Sequence, residues 1–158
     1  MFYSKITSNK ELITSNKELN RLLDKEYQDK NEISASNPII ISDITFGSKL
    51  NGSDFYGLKT NLPYRKIGYL SPTIEYFGVK EGYHTLDIKI WSPDGLSKGT
   101  DSPRGYSFKS SANYNRGRGS KPLTSWGNGS GGTYLRGNHT IEIWYEGKIL
   151  FERTFRVK

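Results

Sequence analysis

The sequence contains no cysteine, so neither a disulfide nor a thiolate metal site supports this fold or its chemistry. Apolar residues are also scarce, at 34%, and no run of them is long enough to cross a bilayer as a helix. The start, MFYSKITSNK, lacks the apolar stretch of a secretory signal. The expectation is cytoplasmic synthesis without membrane insertion, compatible with a later place in a virion. Asn51-Gly-Ser, Asn128-Gly-Ser and Asn138-His-Thr match the glycosylation triplet, but without a signal they read as turn chemistry.

Catalytic signals are equally thin. The two histidines, His84 and His139, stand at predicted strand starts without a companion at ligand spacing. Both are expected at strand edges on the surface. Asp43, Asp87 and Asp94 fall on separate elements, and none belongs to a clustered calcium loop. The glycines of WGNGSGGTYLRG do not follow a strand and open a helix, so they read as a wide turn rather than a phosphate loop. No catalytic residue, metal or cofactor is expected, and an enzyme is not.

What is abundant points to strands. Aromatic residues reach 13%, with 11 Tyr, and there are 17 Gly. Such a composition suits short strands and tight turns. PIIISDITFGS is rich in β-branched residues; SPTIEYFGV sets Ile74 and Tyr76 against Thr73, Glu75 and Phe77. HTLDIKIWSPDG alternates Leu86, Ile88 and Ile90 with Asp87, Lys89 and Trp91, then stops at a Pro-Asp-Gly turn, while GYSFKSSANY is a weaker strand. The final HTIEIWYEGKILFERTFRVK holds two alternating runs, Ile141, Ile143, Tyr145 and Ile149, Phe151, Phe155, Val157, around a Glu146-Gly147 hairpin signal. A two-sheet sandwich over residues 37–158 is the expected architecture.

Residues 1–36 follow another grammar. ITSNKELITSNKEL, Ile6 to Leu19, is one heptad written twice. Ser8 with Glu11 and Ser15 with Glu18 have capping-box spacing, and Leu12, Leu19 and Leu23 form an apolar stripe flanked by Ile13 and Leu22. Asn16 falls on the stripe, where it would fix register in a coiled-coil pair. A lone helix of this length is marginal in water. Either it docks on a partner or a second copy through Leu12, Leu19 and Leu23, or the duplication is a loose leader.

The segments SPTIEYFG, IWSPDG, SPRGYSF and SWGNGSGGTYLRGNHTIEIWYEGKILFERTFRV resemble the immunoglobulin-like β-sandwich modules at the ends of modular bacterial, or phage, proteins. The likeness spans about 40–158, and its most specific piece is Trp126-Gly127 with Gly-Gly-x-Tyr and the Glu-Ile-Trp-Tyr hairpin. It implies a mainly β, immunoglobulin-like antiparallel sandwich, here preceded by a short N-terminal α-helix, and an accessory role without catalysis.

Charge supplies the last signal. Residues 1–36 carry six basic and six acidic side chains, so the +7 excess lies in 37–158. From Lys98 to Arg136 seven basic residues face one acid, Asp101. Arg104, Arg116, Arg118 and Lys121, with Trp126, are the candidate contacts of a loop spanning 104–126, because Arg and Trp suit interface hot spots. The first functional expectation is a non-enzymatic interaction or assembly module, such as a cellular adaptor or a phage virion decoration or attachment component. The alternative is nucleic-acid or polyanion binding through that basic, aromatic loop. A third, carbohydrate recognition by exposed Tyr and Trp, has no discriminating spacing in the sequence.

Overall fold

A computed structural model describes Glu18, residues 20–22 and residues 37–158. The chain divides into two units, 1–37 and Pro38–Lys158. In the first, Glu18 and residues 20–22 are helical, and the Arg21 guanidinium donates to the Glu18 carboxylate at 2.6 Å, the i,i+3 contact of one helical turn. Leu12, Leu19 and Leu23, and with them the docking-helix and coiled-coil expectations, lie outside the described residues.

The second unit is mainly β and forms two sheets. Its strands are β1 (Ile39–Leu50), β2 (Ser53–Leu58), β3 (Asn61–Leu62), β4 (Tyr69–Gly78), β5 (Gly82–Ser92), β6 (Gly95–Leu96), β7 (Phe108–Tyr114), β8 (Gly117–Pro122), β9 (Trp126–Gly127), β10 (Gly137–Tyr145) and β11 (Lys148–Val157). The first sheet runs β2-β1-β4-β8, with β9 also on β4. The second runs β3-β11-β10-β5-β6, with β7 also on β5. Pairing is antiparallel except where β3 joins β11 in parallel.

Period-2 alternation explains the core. Ile44 and Phe46 of β1, Ile74 and Tyr76 of β4, Leu86, Ile88 and Ile90 of β5, Ile141 and Ile143 of β10, and Phe155 and Val157 of β11 all point inward and form one buried cluster. Rings join the sheets directly: Phe46 and Phe155 lie 4.7 Å apart, and Tyr76 meets Tyr114 edge-on at 5.2 Å. Each such side chain contributes about 1.5–3 kcal/mol by leaving water. Cutting Ile74 back to Ala would cost about 2–5 kcal/mol, because the hole it leaves cannot close fully.

Two of the chain's crossings between the sheets are tight corners. Residues 79–81 lead from β4 to β5, and Asn115-Arg116 lead back from β7 to β8. These corners touch at Gly78, where an added Cβ would lie 1.8 Å from the Asn115 carbonyl oxygen. Two hairpins use left-handed backbone at both central residues: Asn51-Gly52 (φ 50 and 82) and Glu146-Gly147 (φ 47 and 79). That geometry matches the twist of the flanking strands.

Four local expectations change. His84 and His139 are buried, at 8% and 1% exposure, because they share the inward parity of Leu86 and Ile141 respectively. Ile149 is 46% exposed, since the pairing of β10 with β11 slips between Ile143 and Trp144 and breaks the alternation there. Asn138 sits within β10 opposite Arg156, not in a turn. Asn51 and Asn128 do occupy turns, the latter closed by the Ser130 N–H on its side-chain oxygen at 2.9 Å.

Candidate functional site

The outer face of the first sheet carries the most developed surface feature. Alternation turns Tyr69, Ser71 and Thr73 of β4 outward, beside Thr45, Gly47 and Lys49 of β1. Together with Tyr56 and Gly57 of β2 they line a groove of about 500 Å³. Tyr56 is 75% exposed, with its hydroxyl end anchored and its other end close to Gly47. Its hydroxyl donates to the Asp54 carboxylate at 3.1 Å, and a Cβ placed on Gly47 would stand 3.3 Å from its Cδ1. That carboxylate also raises the Tyr56 phenol above its ordinary range.

Tyr69, 54% exposed, forms a wall shared with a second hollow of about 550 Å³. Its ring lies near Gly129, where an added Cβ would be 3.4 Å from Cε2. Its backbone is fixed from below: the buried Ser48 hydroxyl donates to the Tyr69 carbonyl at 2.9 Å and accepts the Gly68 N–H at 2.9 Å. Trp126, Ser125, Thr100, Asp101 and Lys109 border the second hollow. The Ser71 and Ser125 hydroxyls meet at 2.6 Å and bridge the two.

Trp126 is half-buried and immobilised. It stacks on Phe108 at 5.8 Å and 15°, and Tyr134 meets it edge-on at 6.1 Å while donating to its carbonyl at 2.8 Å. Burial drives the Tyr134 phenol strongly upward, so that hydroxyl stays a donor. The loop beneath is tied by serines: Ser107 Oγ donates to the Ser97 carbonyl at 2.6 Å and accepts the Ile90 N–H at 2.9 Å.

The five loop residues expected as one contact patch are not brought together. Segment 104–126 is not a single loop but β7, β8 and the start of β9. Arg104 precedes β7 and Arg116 follows it, so about 20 Å of strand separates them. Arg118 projects beside Phe77 and Ile40, whereas Lys121 turns toward the Tyr114 ring, with Nζ 5.6 Å from its centre. Strand alternation is the cause, since successive side chains leave on opposite faces. Only Trp126 lines the Tyr69 groove system.

Sequence reading missed Tyr56 and Tyr69 as surface rings. The parity of β4 contained the signal for Tyr69; SDFYGL, with a mid-strand Gly, gave little sign of β2. It also missed a cationic hollow of about 780 Å³ formed by Arg136, Arg156 and Lys158 beside Asn61. The Arg136 guanidinium lies 4.5 Å over the Tyr64 ring, and Arg65 and Lys66 follow that ring in a short 3₁₀ turn. None of these cations joins an ion pair among the described residues.

The core also holds titratable groups. His139 is stacked on Phe155 at 5.2 Å, its Nδ1 is 3.1 Å from the Gly137 carbonyl, and its Nε2 is buried without a partner. Burial lowers its pKa and keeps the ring neutral. Tyr114 is pushed up to about 12 by burial and then by Tyr76. Among the described residues no three His, Asp or Glu side chains gather as a metal site, and no helix is long and apolar enough to cross a membrane.

No protein-family model matches the chain, and no curated protein matches it. Among solved structures it is similar to an immunoglobulin-like protein from Pseudomonas aeruginosa, with 16% identity and a TM-score of 0.41 over 78% of this chain and 99% of that one.

Proposed function

We propose that the chain is a non-enzymatic interaction module, an immunoglobulin-like sandwich attached through its N-terminal segment and presenting a binding surface on the first sheet. The observation that supports this is Tyr69, an exposed ring on a backbone tied to the buried Ser48 and shared by two adjoining hollows. Rigid, exposed aromatic rings provide contact area with little conformational entropy to lose. Attachment rests on Leu12, Leu19 and Leu23, whose spacing suits a helix that buries one face against a second copy. Solution mass tests the attachment: the full chain forms a defined oligomer, and Leu12→Ala/Leu19→Ala or removal of residues 1–36 makes it monomeric. A monomeric full chain removes self-association from the proposal.

A second reading has its own support. Arg136, Arg156 and Lys158 surround one hollow, which supports polyanion binding there more than along segment 104–126. It predicts retention on heparin that falls steeply with salt and with Arg136→Ala/Arg156→Ala.

A further inference from the structure

We infer that the groove running past Tyr56, Tyr69 and Trp126 is a saccharide-binding site that takes an extended, neutral oligosaccharide. The inference rests on the binding-module reading and names the ligand class of its surface.

The rings carry the first part of the argument. A pyranose presents C–H faces that are apolar and an equatorial rim of hydroxyls. Its complement is a flat aromatic face with hydrogen-bonding groups at the same level. Tyr56 and Tyr69 offer such faces, 75% and 54% exposed. The Tyr56 hydroxyl is tied to Asp54 and the Tyr69 carbonyl to Ser48, so part of the ordering that binding requires is already in place.

The floor between them carries the second. Thr45, Ser71 and Thr73 are hydroxyl side chains, each a donor and an acceptor, as every sugar hydroxyl is. The Ser71–Ser125 contact uses one of the pair's two protons and leaves the other for a further partner. A groove selecting an apolar peptide would instead be floored by Leu, Ile or Val.

Charge and shape decide between ligand classes. Lys109 is neutralised by Asp87 at 2.5 Å, and Lys49 and Asp101 border different hollows. No single-sign field develops there, unlike the hollow at Arg136. A neutral ligand fits, and a polyanion has no reason to prefer this face. Two hollows of about 500 and 550 Å³ with one shared wall suit a chain with Tyr69 near its middle rather than one compact molecule.

The test is affinity electrophoresis of the full chain through gels containing soluble neutral polysaccharides (xyloglucan, galactomannan, mixed-linkage glucan, arabinoxylan), with heparin as the anionic probe. The expected result is retardation by at least one neutral polysaccharide, insensitive to salt. Tyr69→Ala and Tyr56→Ala should each weaken it about 2–10-fold, as removal of one stacked ring does. Tyr69→Trp should retain it, and Arg136→Ala/Arg156→Ala should leave it unchanged. Both tyrosines are surface residues, and an unaltered melting temperature for the Ala variants shows that they fold. No retardation by any neutral polysaccharide, or retardation unaffected in the Tyr56→Ala/Tyr69→Ala variant, overturns the inference. Retardation by heparin alone, lost at high salt, also overturns it and moves binding to the Arg136 hollow. Failure here is separable from failure of the module reading, which is judged by the solution mass of the full chain and its Leu12→Ala/Leu19→Ala variant without any sugar.

Discussion

Replacing Asp43 by asparagine should loosen the clasp between the two sheets and flatten part of the acid limb of unfolding. Asp43 follows the irregularity in β1 between Ile41 and Asp43. Its carboxylate takes Lys59 Nζ and Arg153 Nη1 at 2.6 Å each, and the Ile44 N–H at 2.9 Å. Arg153 belongs to β11, so the cluster ties an edge of the first sheet to the second. These partners, Lys59 foremost and then Arg153 and the Ile44 amide, hold the carboxyl at about 2 instead of 3.8. Unscreened, that difference corresponds to about 2.4 kcal/mol. Asp43 is 24% exposed and Lys59 55%, so solvent screening brings the contribution to about 1 kcal/mol. The folded value lies below the unfolded one, so the stability is complete above 3.8 and is lost as pH falls toward 2. Urea unfolding of both proteins at neutral pH and along the acid limb measures this directly. Asp43→Asn should be less stable by about 1–2 kcal/mol at neutral pH, and the gap should shrink on acidification. Equal stability at neutral pH, or a gap independent of pH, refutes the clasp.

Three further outcomes follow from single sites. The depressed pKa of His139 means that the unfolded chain takes up a proton first, so stability should fall as pH drops below 6.5 until the folded ring also titrates; urea unfolding of His139→Phe should show a shallower slope across that window. Gly78→Ala should lower stability by about 1–3 kcal/mol or more, read by thermal unfolding, because its Cβ meets the Asn115 carbonyl and both corners must move. Glu146→Asn should raise stability by about 0.5–1 kcal/mol in chemical denaturation, since asparagine tolerates the φ of 47 that glutamate holds only under strain.

Much of the fold was legible because its central strands obey a simple alternation. β4 and β5 bury the residues whose parity marks them, and Glu146-Gly147 turns where a two-residue hairpin should. The same parity sends His84 and His139 inward, where strand position outweighs side-chain polarity. β2 and β8 were hidden for a different reason. As edge strands, β2 carries a mid-strand Gly and β8 carries Gly, Arg, Lys and Pro; such residues read locally as loop, and the charges and proline of β8 also keep a free edge from pairing with another chain. The surface was less legible than the core. A run such as YNRGRGSKP concentrates charge in sequence, whereas the strand disperses it in space. Arg136, Arg156, Lys158 and the Arg65-Lys66 pair do the reverse, because β3 and β11 lie side by side only once folded. Tyr56, Tyr69 and Trp126 likewise belong to β2, β4 and β9, and only the pairing of those strands around β1 and β4 makes them one groove.

The three indole N–H signals of the isotope-labelled full chain give the most direct test of that groove. Trp126 borders it, while Trp91 and Trp144 sit on β5 and β10 of the other sheet. During titration with neutral oligosaccharides of the gluco-, xylo- and manno-series, the Trp126 signal should shift in a saturable way while those of Trp91 and Trp144 stay in place. Three unmoved signals, or movement confined to Trp91 and Trp144, would contradict a binding surface at Tyr56, Tyr69 and Trp126.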